Sequence, residues 1–371
     1  MTALLLVAGL VLLVVGGEVL VRGAGTIATA AGISPLVVGL TVVSFATSAP
    51  ELAVTLQASA AGSPGLAVGN VVGSNVVNIL LVLGVAGLIL PLAVRAAVVR
   101  RDVPVMIGLS LLFWLMSLDG AVSTVDGAVL VLLLAVYVVW TVVGSRRGDR
   151  AEVLAPDDQP ALPEAGRSRR LVVSAVMVAV GVAMLVLGAR WLVVAATDIA
   201  SALGLSDTVI GLTVVAIGTS LPELATSVLA ALRGKVEMAV GNAIGSNIFN
   251  IGAVMGLTSV VADGGVPVDA AAVAFDLPVM VAVAFVVLPI VFTGFTVARW
   301  EAGLFLAYYS AYVAYLLLDS AGHDALPRFS AVMLGFVLPL TALTLVALAT
   351  YELGVRRGAR TASSRGPDQS S

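Results

Sequence analysis

The chain has 371 residues, 60% hydrophobic and only 11% charged, with a formal net charge of −3 and no cysteine. A mean hydropathy of +1.12 lies far outside soluble globular usage and identifies an integral membrane protein. The absence of cysteine excludes disulfides, thiolate metal sites and cysteine nucleophiles.

Eleven apolar runs are long enough to cross a bilayer: 3–30, 33–62, 66–90, 103–118, 124–143, 171–200, 206–232, 237–262, 272–293, 299–318 and 329–353. At about 20 residues per span these are helices, because a barrel strand needs only about ten. The first run lacks a basic flank and reads as an uncleaved helix rather than a signal peptide. Arg95, Arg100, Arg101, Arg146, Arg147, Arg150, Arg167, Arg169, Arg170, Arg233, Lys235, Arg299, Arg356, Arg357 and Arg360 all follow odd-numbered runs. The loops after even-numbered runs carry aspartates, with Arg328 the exception. Positive charge stays cytoplasmic, so the N-terminus is expected outside and the C-terminus inside.

Residues 39–78 and 211–250 are two copies of one stretch, offset by 172 without a gap and identical at 21 of 40 positions. The first copy covers runs two and three, the second runs seven and eight. Five crossings lie between them, so the copies are expected to be inverted, as where secondary transporters build a midplane site from broken helices. The fold class expected is therefore all-α integral membrane: two inverted five-helix repeats, ten spans, plus one additional C-terminal helix. The halves are 1–143, with the motif 39–78, and 171–318, with the motif 211–250. A polar linker, expected to be cytoplasmic, occupies 144–170, and an extra helix with a basic tail occupies 319–371. Asp102-Val-Pro and Asp276-Leu-Pro open runs four and nine alike, where an N-cap with proline in the first turn explains them as well as any other role.

Each copy places one glutamate, Glu51 or Glu223, inside an apolar span directly after Thr-Ser-x-Pro. An unpaired carboxylate at that depth costs a few kcal/mol or more, and intramembrane acids mark ion or proton pathways by default. The bland alternative is a pair of protonated acids bonded to helix backbone. Pro50 and Pro222 remove an amide and free the carbonyls of Ala46 and Gly218. Thr47, Ser48 and Glu51, and likewise Thr219, Ser220 and Glu223, then cluster over one turn. In the following helices Asn70, Ser74 and Asn78, and Asn242, Ser246 and Asn250, recur every four residues and form one polar stripe each. Gly69 and Gly73, and Gly241 and Gly245, are small-xxx-small pairs that permit close helix approach. The ensemble is all oxygen, suited to hard cations such as Ca2+ or Na+ and lacking soft ligands. Glu18 and Arg22, four apart, read as an ion pair, and His323 as a solvated loop residue.

The paired stretches resemble the α-repeats of the sodium/calcium exchanger family, within the cation/calcium antiporter group. The resemblance rests on Thr47-Ser48-Ala49-Pro50-Glu51 with Gly73-Ser74-Asn75 and Asn78, and on Thr219-Ser220-Leu221-Pro222-Glu223 with Gly245-Ser246-Asn247 and Asn250. It implies that Glu51 and Glu223 bind Ca2+ with Thr47, Thr219 and carbonyls near Ser44 and Ala216. Ser48, Ser74, Ser220, Ser246, Asn78 and Asn250 complete the Na+ sites. Ala46 stands where the family usually has glycine. Asparagine at both Asn78 and Asn250, where potassium-dependent relatives carry an acid in the second copy, implies no K+ requirement. The expected activity is electrogenic Na+/Ca2+ exchange by alternating access in a cell membrane, with the two ions as substrates, no cofactor, the lipid bilayer as surroundings and no nucleic-acid partner. A proton/calcium antiporter using the same carboxylates is the nearest alternative, and a cation channel a more distant one. An intramembrane hydrolase lacks any nucleophile and base pair in the spans.

Overall fold

The structure, a computed structural model, describes residues 1–152, 167–203, 216–292, 294–348 and 350–351. Among these residues ten helices are long and apolar enough to cross a bilayer. In chain order the helices are α1 (Thr2–Ala31), α2 (Pro35–Ala60), α3 (Pro64–Ile89), α4 (Val98–Asp119), α5 (Thr124–Glu152), α6 (Arg167–Ala202), the shorter α7 (Leu221–Leu232), α8 (Val236–Val261), α9 (Ala272–Ile290), α10 (Arg299–Ser320) and α11 (Leu326–Leu348). They follow the eleven apolar runs, except that residues 206–215 of the seventh lie outside the described residues. The polar stretch 144–170 is in part helical: α5 continues to Glu152 and α6 already begins at Arg167. The physical reason is that nothing at either end of that stretch breaks a helix, its prolines falling at 156, 160 and 163. The tail beyond residue 351 lies outside the described residues.

Four two-residue strands, in two pairs, accompany the helices. Leu92–Ala93 (β1) pairs antiparallel with Thr296–Val297 (β4), and Ala121–Val122 (β2) pairs antiparallel with Val266–Pro267 (β3). Each joins a connection in the first half to one in the second. Strands this short carry no periodic signal, and they form because their loops are held side by side.

Helices α3 and α8 occupy the centre, and most of α8 is buried. Helix α11 is peripheral: Leu334, Phe336, Leu343 and Val346 are exposed, and a hydrogen bond from Tyr308 of α10 to Thr341 ties it to the rest. Helices α1 and α6, of 30 and 36 residues, are about 45 and 54 Å long at 1.5 Å per residue, well over a hydrocarbon core of about 30 Å. They run antiparallel along a seam of small residues. A Cβ on Gly9, Gly16 or Gly23 would lie 2.9 Å from the carbonyl oxygens of Gly188, Gly181 and Ser174 respectively. The seven-residue spacing keeps all three on one face, and between apolar helices in lipid such backbone proximity supplies the packing that holds them together.

Substituting Gly16→Ala should therefore lower the melting temperature of the detergent-solubilised protein, the overpacking costing about 1–3 kcal/mol. Gly108→Ala on α4, where an added Cβ meets nothing within 4 Å, should leave it unchanged or raise it slightly.

Candidate ion-binding site

The proline of each copy breaks its helix as expected. In α2 the helix stops at Ser48, whose φ of −81° and ψ of 3° depart from helical values, and resumes at Ala49 with Pro50 in the first turn. Ser220, with φ −91° and ψ 7°, marks the same break before α7. Glu51 and Glu223 thus occupy the first turn of a new helix, where the N-terminal end of the macrodipole favours negative charge. Opposite them, α3 and α8 pass through π-helical turns that start at Asn78 and Asn250. Such turns are rare and concentrate at functional sites.

The breaks bring both copies to one buried cluster. Glu51, Ser44, Asn78, Glu223, Ser246 and Asn250 have no exposed surface, and Thr47, Ser48, Ser74 and Ser220 have almost none. The copies interlock. Ser220 of the second donates to Glu51 Oε1 of the first at 3.5 Å. Thr47 donates to Asn242 Oδ1 at 3.3 Å, and Thr219 to Asn70 Oδ1 at 3.4 Å. Asn70 Nδ2 in turn donates to Thr55 Oγ1 at 2.9 Å and the Glu51 carbonyl at 3.2 Å. Asn242 Nδ2 repeats this with Ser227 Oγ at 3.0 Å and the Glu223 carbonyl at 3.4 Å.

Many oxygens remain without a hydrogen-bond partner. Among the described residues these include Glu51 Oε2, both carboxylate oxygens of Glu223, the hydroxyls of Ser48, Ser74 and Ser246, and Oδ1 of Asn78 and Asn250. Each buried polar group left this way costs about 1–3 kcal/mol, and a charged one more. Among the described residues no lysine or arginine forms an ion pair with either glutamate. Cations are the partners this donor set can accept.

Three readings are refined. The Ser44 carbonyl is not idle: it accepts the Ser48 amide at 2.9 Å and lies 3.5 Å from the Thr47 hydroxyl. Ala216 opens the short turn Ala216–Gly218, beside the stretch outside the described residues. Gly241 and Gly245 do face the backbone of α2, a Cβ on Gly241 falling 2.6 Å from the Leu36 carbonyl oxygen. For Gly69 and Gly73 the corresponding partner positions, 208 and 212, lie outside the described residues. Sequence reasoning missed Thr55 and Ser227, although each sits four residues beyond its glutamate. It also left Asn75 unassigned, which accepts from Asn250 at 3.2 Å and donates to the Met280 sulfur at 3.4 Å. Glu18 binds not only Arg22 but also Arg233, at 2.9 Å.

Residues 1–143 and 173–318 match the profile of the family described as sodium/calcium exchanger protein. The chain belongs to the sodium/calcium exchanger family. This exchanger-family chain is 37% identical over 284 residues to the inner membrane protein YrbG of Escherichia coli K12, covering 76% of this chain and 86% of that one. It is 32% identical over 352 residues to the sodium/calcium exchanger MaX1 of Methanosarcina acetivorans, covering 84% and 97%. A solved structure of the sodium-calcium exchanger NCX_Mj, soaked with zero Na+ and Ca2+, superposes with a TM-score of 0.71 at 33% identity, covering 85% of this chain and 98% of that one. The exchanger is accordingly a multi-pass transporter of the cation/Ca2+ antiport type and not an enzyme.

Asn242→Ala should destabilise the exchanger by about 1–3 kcal/mol, because it strands the buried Ser227 hydroxyl and leaves Thr47 only the Ser44 carbonyl at 3.5 Å. Asn70→Ala should shift the melting temperature less, since Asn70 is only partly buried and water can replace it, whereas Asn242 is fully enclosed.

Proposed function

We propose that this protein exchanges Na+ for Ca2+ by alternating access, electrogenically and without K+. The observation that carries the reading is the buried pair Glu51 and Glu223, whose carboxylate oxygens are largely without hydrogen-bond partners and which, among the described residues, form no ion pair with a basic side chain. Glu51, Glu223, Thr47, Thr219 and the carbonyls of Ser44 and Ala216 hold Ca2+. Ser48, Ser74, Ser220, Ser246, Asn78 and Asn250 complete the Na+ sites around the same carboxylates. Two acids neutralise one Ca2+, whereas more than two Na+ leave excess positive charge. Each net charge moved is worth about 2.3 kcal/mol per 100 mV. Neutral asparagine at Asn78 and Asn250 offers K+ no carboxylate. The similarity to the sodium/calcium exchanger MaX1 and the Na+ and Ca2+ used in soaking the solved NCX_Mj structure support the choice of ions.

Alternating access rests on the inverted relation of the two repeats, which contacts between loops support. A β-pair or an ion pair requires both partners on one side of the bilayer. The eleven-span count puts six crossings between β1 and β4 and four between β2 and β3. It also puts four between Arg95 and Glu237, paired at 2.6 Å. All three counts are even, and one span fewer would make each odd. Five crossings then separate the copies, so they are oppositely directed. The eleventh helix stands outside the duplication. The N-terminus faces out, the C-terminus faces the cytoplasm, and the name of the YrbG relative supports an inner-membrane location.

Reconstituted protein should take up calcium-45 only when an outward Na+ gradient is imposed, and an imposed potential should change the rate. Uptake that follows a pH gradient and ignores Na+ would replace this reading with proton/calcium antiport. Glu51→Gln and Glu223→Gln should each abolish uptake while leaving the fold intact. They should also remove the thermal stabilisation by Ca2+, which for a single site at 100 times Kd amounts to about 2.7 kcal/mol; normal transport by either variant would overturn the site assignment.

A further inference from the structure

A second polar feature lies away from the buried cluster, where α1, the first turns of α6 and the turn joining α7 to α8 meet. Arg22, Thr26, Arg170, Met177 and Lys235 are among the residues lining an open cleft of about 640 Å³. The cations come from three separate elements. Lys235 reaches across Gly25, where a Cβ would collide with its ammonium group, and donates to the Val21 carbonyl at 3.1 Å. Among the described residues it forms no ion pair. The nearby carboxylate of Glu18 is already shared by Arg22 and Arg233. Arg170 is exposed and likewise makes no ion pair among the described residues. The cations lining the cleft are therefore Arg22, Arg170 and Lys235, with the Glu18–Arg233 pair nearby. Burial, and then repulsion from Arg22 and Arg233 against the opposing pull of Glu18, hold the Lys235 ammonium below the usual lysine range. The threonine hydroxyls of the wall are spent on their own helix, Thr26 on the Arg22 carbonyl and Thr29 on that of Gly25. The donors facing the cleft are therefore its cations.

We propose that this cleft binds the phosphate of an anionic phospholipid headgroup, held by Lys235, Arg22 and Arg170. A lipid rather than a free phosphate fits because α1 and α6 exceed the hydrocarbon thickness, and basic residues on such overhanging ends lie at headgroup level. Val173, one turn beyond Arg170, is exposed at the flank of the cleft face, and Val172 and Val176 extend the apolar surface around α6 toward the acyl chains. Bound there, one lipid ties the α1–α6 pair to the turn between α7 and α8.

The test uses the purified full chain in a neutral detergent, with melting temperature and native mass spectrometry as readouts. Phosphatidylglycerol should raise the melting temperature and remain bound in the mass spectrum, while phosphatidylcholine and inorganic phosphate at the same concentration should do neither. The double variant Arg170→Gln, Lys235→Gln should lose at least half of the phosphatidylglycerol shift. Removing two exposed charges elsewhere, Arg100→Gln with Arg328→Gln, should leave it intact. Where loss of Lys235 itself unfolds the protein, Arg170→Gln alone and Gly25→Leu, which crowds the lysine, should each weaken retention of the lipid. An equal shift in the site variants, an equal loss in the control variant, the same shift from inorganic phosphate, or no shift in the unaltered protein would each overturn the proposal.

Discussion

The structure depends on the burial of two carboxylates at the depth of the hydrocarbon. Glu51 and Glu223 are fully enclosed, and among the described residues no guanidinium or ammonium pairs with either. In such surroundings an isolated charge is expensive, and a protein that keeps two has to surround them with oxygens and helix dipoles that a cation can share. The broken helices meet that need. Each proline places its glutamate at a new helix N-terminus and leaves a preceding carbonyl without its amide. Irregular backbone at this depth is tolerated because it lies inside protein rather than against lipid.

Duplication then makes the site complete. Neither copy satisfies its own polar groups: Ser220 reaches Glu51, Thr47 reaches Asn242, and Thr219 reaches Asn70. The asparagines act as struts, each joining the helix that carries one glutamate to a threonine of the other copy. This crossing of bonds holds the two breaks face to face. The hydroxyls and amides left unpartnered around them are the groups that, on the proposed exchange, alternate between one Ca2+ and several Na+.

Around this centre the rest of the chain divides by chemistry. Helices α3 and α8 are buried and carry the amide stripes, whereas α1 and α6 form a separate long pair held by glycine contacts. Along that seam the backbones approach closely, and at one end Thr2 of α1 donates to Asp198 of α6 at 3.1 Å. The charges of the molecule are displaced to the helix ends, where Arg22, Arg233 and Lys235 gather around a single glutamate. The proposed lipid contact lies there, remote from the carboxylates.

The sequence by itself determined the membrane class, the number and placement of most helices, the duplication and the two glutamates with their prolines. Those features are local: apolar run length, a constant offset, and a ring that removes an amide are all legible one residue at a time. It also pointed to the polar stripes, because spacing by four is a helix face. It did not reveal Thr55 and Ser227 as partners of the asparagines, the pairing of β1 with β4 and β2 with β3, the π-helical turns at Asn78 and Asn250, or the capture of Arg233 by Glu18. Those depend on which helices become neighbours, and a two-residue strand or a hydrogen bond between residues 195 positions apart leaves no periodic trace in the chain. The tertiary structure alone decided that the Gly241 and Gly245 face meets the backbone of α2, because only close packing of distant segments selects the partner that a small residue admits.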